Sequence, residues 1–132
     1  MSKRVVTSGS EIGPYSSAVV AGEHCYVAGT GGFLPGTMTL AGGGIEGEIR
    51  QTMKNLQANL ERAGFALRDV VSVTCYLRSM ADWPALNEIY GEHLGEQSPA
   101  RAAVVVGEMP GGANIEISCI AWRSTSTAGS EA

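Results

Sequence analysis

The sequence predicts an α+β protein in which two helices pack on one face of a single mixed β-sheet. Two observations carry this prediction. Short runs of β-branched and apolar residues are typical of strands, and two longer segments repeat their apolar residues at helical spacing. The elements follow the order strand, strand, helix, strand, helix, strand, strand, which supplies one layer of helices for one sheet face.

The first half of the chain predicts a hairpin followed by a loop. Residues 18–20 and 24–28 are the two strands, separated by a turn. The glycine-rich section at residues 29–47 lacks the Gly-Lys-Ser/Thr ending of a phosphate loop and the third glycine of a dinucleotide loop. We therefore expect a flexible loop that lines a pocket.

The first helix follows that loop. Apolar residues recur at helical spacing from Ile45 to Leu60, and Gly64 follows as a stop signal. Glu46 and Glu48 stand in the first turns, where the helix dipole favours acidic side chains.

The second half of the chain predicts a strand, a helix and two final strands. Residues 70–77 alternate and are rich in β-branched side chains, and a helix runs from Asp82, its expected N-cap, to Gly95. The last two strands are joined by residues 107–112, and we expect them to form a tight antiparallel hairpin.

Each of the last two strands carries one isolated charge. Arg101 precedes an apolar run, and Glu116 lies within another. If Glu116 pairs opposite Ala103, Arg101 lies on the same face about 7 Å along the strand, which leaves room for a small ligand. A slip of one residue would put the charges on opposite faces, and an inert ion pair at the sheet edge is the structural alternative.

Composition limits the partners and the compartment. The chain has 132 residues, 44% of them hydrophobic, and a net charge of −4 with scattered basic residues, so we expect no nucleic-acid partner. No apolar run approaches the roughly 18 residues that span a bilayer, and no signal peptide is visible, so we expect a cytoplasmic protein. We expect one domain over residues 1–123 and a disordered tail over residues 124–132.

The cysteines and the sheet face give two further expectations. Cys25, Cys75 and Cys119 each lie in an apolar segment, which indicates buried thiols in a reducing compartment, and no metal-ligand spacing is present. The second face of the predicted sheet is apolar and has no element to cover it. We therefore expect the chain to self-associate.

Four short motifs together carry a resemblance that runs from about Lys3 to Arg123. They are Gly-Pro-Tyr ending at Tyr15, Asn-Glu-Ile-Tyr beginning at Asn87, Pro-Ala-Arg ending at Arg101, and Ile-Glu-Ile centred on Glu116. In these motifs and their order the chain resembles the RidA (YjgF-type) family of enamine/imine deaminases.

The resemblance implies a chorismate-mutase-like fold, a homotrimer with clefts between subunits, and hydrolysis of 2-imino acids and their enamine tautomers without a cofactor or metal. By position, Arg101 would clamp the substrate carboxylate, and Glu116 would position or activate the attacking water. Tyr15 would line the cleft, and Asn87 would shape it from the second helix.

The loop residues that border the cleft depart from the family pattern. Many members have Ser-Gly-Gln where this chain has Ala28, Gly29 and Thr30, and the position two after the arginine, often cysteine, is Ala103. We include Gly29, Thr30 and Ala103 among the expected substrate-binding residues. Two alternative functions remain open: a non-catalytic trimer that binds a small carboxylate, and a ribonuclease or translation inhibitor.

Overall fold

A six-stranded mixed sheet is the centre of the molecule. The computed structural model describes residues 3–124, so most of the predicted disordered tail lies outside the described residues. The strand order across the sheet is β1-β2-β3-β6-β4-β5, and every neighbouring pair is antiparallel except β4 and β5. The strands are β1 (Arg4–Val6), β2 (Ala18–Ala21), β3 (His24–Gly31), β4 (Val70–Leu77), β5 (Ala100–Val105) and β6 (Ile115–Trp122).

Both helices pack on one face of this sheet, as predicted. Helix α1 spans Gly44–Arg62 and helix α2 spans Trp83–Leu94. The side chains at alternate positions of β6 point toward the helices and are buried, while the positions between them point to the other face. The core between the sheet and the helices is built around Ile49, Met53, Leu56, Leu60, Leu77, Leu86, Ile89, Ile115 and Ile117.

The expected hairpin between the last two strands is wrong. β5 pairs in parallel with β4, and β6 pairs with β3 and β4, so that β4 lies between the last two strands. Parallel neighbours need a crossover connection, and α2 supplies it between β4 and β5. The loop before β6, which contains a short 3-10 turn at Pro110–Gly112, then carries the chain past β4.

One strand was absent from the sequence prediction. β1 spans only Arg4–Val6 and pairs with β2 at the sheet edge. Two of its three residues are exposed, so that the segment shows no alternating pattern. The Arg4 guanidinium donates a 2.7 Å hydrogen bond to the Ala63 carbonyl, which ties this edge to the end of α1.

Two acidic residues act differently from the expectation. Asp82 stands at the N-cap of α2 but makes no side-chain cap, and Ser79 instead accepts a hydrogen bond from the Ala81 amide in the preceding turn. Glu48, which we expected only to favour the helix dipole, is buried and accepts hydrogen bonds from the Asn114 and Ile115 amides. Glu48 therefore fixes the point where β6 begins.

The other face of the sheet has no covering element within residues 3–124. Tyr26, Val104 and Trp122 are each about half exposed there, at 46%, 44% and 45%. The uncovered apolar face that the sequence predicts is therefore present, and self-association remains a prediction. Within the described range, neither helix has the length and apolar character needed to cross a membrane.

Candidate functional site

Arg101 is held between two aromatic rings. Its guanidinium carbon lies 4.9 Å from the centroid of the Trp83 ring and 4.7 Å from that of the Tyr90 ring. The same guanidinium donates a 2.9 Å hydrogen bond from Nη2 to Oδ1 of Asn87. Cation–π contacts and one directional hydrogen bond therefore fix the side chain and leave further N–H donors free for a ligand.

Helix α2 supplies all three partners of Arg101 because of its periodicity. Trp83, Asn87 and Tyr90 stand at positions i, i+4 and i+7, which place them on one face of the helix. Burial raises the pKa of Tyr90 to about 12, and its hydroxyl finds no hydrogen-bond partner among residues 3–124. Tyr90 therefore stays neutral and contributes its ring rather than its proton.

Glu116 lies on the opposite, open face of the sheet. Its carboxylate covers Gly29, because a Cβ atom built on that glycine would be only 3.0 Å from the carboxyl carbon. Burial raises the pKa of Glu116, and no basic side chain of the described chain pairs with it. A half-buried, unpaired carboxyl group is suited to accept and return a proton.

The predicted approach of Arg101 and Glu116 on one face is wrong within a single chain. Arg101 aligns with Val73 of β4, and Val73 aligns with Cys119 of β6, a buried position that faces the helices. Glu116 is an odd number of residues from Cys119 and therefore faces the other way. The insertion of β4 between the two strands replaces the direct register on which the prediction depended.

A cavity of about 450 Å³ lies at the Glu116 half of the site. Strand β2 begins opposite Val27, and the register of β3 shifts between Val27 and Thr30, so that the remainder of β3 has an open edge. This edge separates Glu116 and Gly29 on the open face from Thr30 on the helix face, and all three line the cavity. The cavity thus wraps the edge of β3.

Tyr15 lines this cavity, and the loop around it holds it there. Tyr15 is 47% exposed, and its hydroxyl accepts a 3.4 Å hydrogen bond from the Ile12 amide. Glu11 accepts hydrogen bonds from the Ser17 hydroxyl and from the Ser8 amide, which lower the pKa of Glu11 to about 2. This carboxylate organises residues 8–17 rather than facing a ligand.

The glycine-rich section lines the cavity in part, but it is not one loop, because residues 29–31 belong to β3 and residues 44–47 begin α1. Gly29, Gly31 and Gly36 are part of the wall. Asn55 of α1 donates hydrogen bonds of 2.9 Å and 2.8 Å to the carbonyls of Gly31 and Phe33, which fastens this section to the helix.

The expected site residues therefore separate into two groups. Tyr15, Gly29, Thr30 and Glu116 line the cavity, which we call the Glu116 half. Arg101, Asn87 and Ala103 lie on the helix side of β5 and on α2, outside that cavity, and we call them the Arg101 half.

Sequence reasoning did not assign a site role to Trp83, Tyr90, Glu11 or Arg62. The first two carried a signal, because they share a helical face with Asn87. No sequence pattern pointed to Glu11 or Arg62, because loop folding and helix packing bring these two side chains to the cavity.

The cysteines offer no nucleophile. Cys25, Cys75 and Cys119 are free and buried. Desolvation raises the pKa of Cys75 to about 11 and that of Cys119 to about 12, so that both remain thiols at neutral pH. Among residues 3–124, no three His, Cys, Asp or Glu side chains cluster as metal ligands would.

Sequence comparisons find a matching family model and similar proteins that agree with one another. The family model described as endoribonuclease L-PSP matches residues 7–123. A RutC family protein of Pyrococcus horikoshii is 44% identical over 112 residues, which cover 85% of this chain and 89% of that protein. The human 2-iminobutanoate/2-iminopropanoate deaminase is 37% identical over 119 residues, which cover 90% of this chain and 87% of the human protein.

Solved structures give the same picture of the fold. RidA from an Antarctic Psychrobacter bacterium superposes with a TM-score of 0.85 at 36% identity, covering 91% of this chain and 99% of that one. E. coli TdcF, solved with bound serine, superposes with a TM-score of 0.84 at 26% identity, covering 92% of this chain and 99% of that one. The likeness therefore shows that the fold is shared over almost the whole of this chain.

Proposed function

Because the chain belongs to the endoribonuclease L-PSP family that includes the RidA proteins, we propose that it hydrolyses 2-imino acids and their enamine tautomers to 2-oxo acids and ammonia. We further propose that residues 1–123 form one catalytic domain, that the fold is chorismate-mutase-like, and that the working unit is a cytoplasmic homotrimer. The deaminase name of the human relative supports the reaction class.

The observation that carries the proposal is that the Arg101 side chain is held in place without a carboxylate partner. Its guanidinium is fixed by Trp83, Tyr90 and Asn87 but has no carboxylate partner among the described residues. A planar guanidinium donates two parallel hydrogen bonds to a carboxylate, which is the group that every 2-imino acid carries. Arg101 thus supplies the recognition of the substrate.

The two halves of the site must meet across subunits. Within one chain Arg101 and Glu116 lie on opposite faces of the sheet. The open face beside Glu116 exposes Tyr26, Val104 and Trp122, an apolar surface of the kind that subunit interfaces bury. We infer that the open faces pack together in the trimer and that each cleft takes the Arg101 half of one subunit and the Glu116 half of its neighbour.

In this cleft the reaction needs only binding and one proton carrier. A protonated imine is electrophilic at C2, so a water molecule adds to that carbon while the Glu116 carboxylate takes one of its protons. Glu116 then returns the proton to the nitrogen of the tetrahedral intermediate. The C2–N bond breaks as the C2 hydroxyl passes its proton to the Glu116 carboxylate, and the departing ammonia takes up that proton to leave as ammonium, so that the 2-oxo acid remains.

A direct assay tests this reaction. An amino acid oxidase generates 2-iminopropanoate in situ, and the decay of the imine is followed with and without the protein. We expect faster decay with the wild-type protein and background decay with Arg101→Ala. Arg50→Ala is the matched control, because Arg50 makes an exposed ion pair with Glu92 away from the site. Identical decay with and without the wild-type protein, across several side chains, contradicts the proposal.

The non-catalytic alternative makes a different prediction for Glu116. A protein that only binds a small carboxylate requires Arg101 and does not require a proton carrier. If the enzyme proposal is right, Glu116→Gln binds the 2-oxo acid product and fails to hydrolyse the imine. A wild-type protein that binds the product with no turnover supports the alternative, and steeply salt-dependent RNA binding would support a ribonuclease.

A further inference from the structure

The cavity next to Glu116 is larger than the smallest imino acids require. Its volume of about 450 Å³ falls in the usual range for small-molecule sites. 2-Iminopropanoate carries only a methyl side chain, which would leave most of this space unused. The cavity therefore has room for a longer substrate side chain.

The rim of the cavity is apolar. Ile12, Leu34 and Met38 line it and are exposed in this chain at 51%, 41% and 47%. Exposed large apolar side chains gathered around one cavity favour contact with the methylene groups of a ligand.

The wall formed by β3 and α1 is polar and built from buried groups. Thr30 and Asn59 are 7% and 8% exposed and line the cavity. The Thr30 hydroxyl donates to the Ala28 carbonyl at 2.8 Å, and Nδ2 of Asn59 donates to that hydroxyl at 3.4 Å. The Asn59 amide is thereby oriented with its Oδ1 directed toward Arg62.

Arg62 ends this chain of hydrogen bonds. Its Nη1 donates a 2.6 Å hydrogen bond to Oδ1 of Asn59, and no carboxylate of residues 3–124 pairs with it. A guanidinium has five N–H donors, so that one contact leaves the others available. The other charged residues of the cavity are Glu116, which belongs to the proposed reaction, and Glu11, which is engaged by Ser8, Gly9 and Ser17.

We propose that Arg62, held by Asn59, binds a second carboxylate at the end of the substrate side chain, so that the site selects imines of acidic amino acids. The methylene groups of such a side chain would pass along the apolar rim before the carboxylate reaches the α1 wall. This inference rests on the proposed function, in which Arg101 of a neighbouring subunit binds the first carboxylate.

Product binding tests the inference separately from catalysis. Isothermal titration calorimetry measures the dissociation constants of 2-oxoglutarate and of 2-oxohexanoate, which has a side chain of similar length with no terminal carboxylate. We expect the wild-type protein to bind 2-oxoglutarate about tenfold more tightly or better, because charge-assisted hydrogen bonds of a bidentate pair are strong. Arg62→Gln should abolish most of this preference.

Arg68→Gln is the matched control. It removes the same charge from an exposed arginine outside the cavity, and the preference for 2-oxoglutarate should persist. The inference is overturned if the wild-type protein does not prefer 2-oxoglutarate or if Arg62→Gln retains the preference. In that case, hydrolysis of 2-iminopropanoate by the wild-type protein shows that the proposed function still holds. Absence of both hydrolysis and product binding overturns the two together.

Discussion

At the scale of single residues, the site contains two carboxyl groups whose surroundings shift their pKa values in opposite directions. Burial without a basic partner raises the pKa of Glu116. Hydrogen bonds lower the pKa of Glu11 to about 2, and the bond from the Ser17 hydroxyl has the largest effect. Both residues line the same cavity, yet one is available for proton transfer and the other is a fixed structural anion.

These shifts predict opposite effects on stability. A raised carboxyl pKa means that the folded protein binds more protons than the unfolded chain, so stability falls as pH rises through the Glu116 pKa. A lowered pKa does the reverse, so the contribution of Glu11 is present above its unfolded pKa and is lost as pH falls toward about 2.

Thermal unfolding of two variants checks the signs. At pH 7 we expect Glu116→Gln to raise Tm and Glu11→Gln to lower it. Both differences should shrink as pH falls below the ordinary carboxyl range. A Glu116→Gln variant that is less stable than the wild-type protein at pH 7 contradicts the account of Glu116 as an unpaired, half-buried carboxylate.

At the scale of elements, α2 determines how Arg101 is presented. Arg101 is on the edge strand β5, where a long side chain would otherwise adopt many rotamers, and α2 restricts it with two rings and one amide. The orientation of Arg101 therefore depends on the packing of α2 against β5. The residues of β5 alone do not indicate this contact.

Trp83 is the partner whose removal tests this dependence. Trp83→Leu removes one cation–π contact, for which about 1 kcal/mol corresponds to roughly a fivefold loss of binding. Because Arg101 binds a carboxylate that substrate and transition state share, we expect KM to rise about fivefold and kcat to change little. Trp83→Phe keeps an aromatic face and should restore most of KM. Equal KM values for Trp83→Leu and Trp83→Phe would show that the ring does not orient Arg101.

The elements themselves are largely readable from sequence, and their pairing is less so. Helical spacing from Ile45 to Leu60 and β-branched alternation over residues 70–77 locate α1 and β4 correctly, because each pattern is local. The position of β4 between β5 and β6 depends on the α2 crossover and on the path of the loop before β6. Both are tertiary effects. The number of residues between Arg101 and Glu116 therefore could not predict whether the two side chains lie on the same face of the sheet.

At the scale of the whole molecule, we propose that one chain contributes two incomplete half-sites. In the proposed reaction, the Arg101 half supplies the receptor for the substrate's first carboxylate and the Glu116 half supplies the proton carrier. The family resemblance is the source of the proposed site residues, and the fold comparison supports the family. The assembly of the two halves is the central proposal, because hydrolysis in this account requires a subunit interface.

Mixing two inactive variants tests that proposal most directly. Arg101→Ala retains the Glu116 half, and Glu116→Gln retains the Arg101 half, so that each variant alone should be inactive. When equal amounts are unfolded and refolded together, a ring with one kind of interface should have both native halves in about one quarter of its clefts. We predict that imine hydrolysis recovers to about that fraction of the wild-type rate. If the mixture forms mixed trimers, as native mass spectrometry can establish, and remains inactive, the two halves do not act together across subunits.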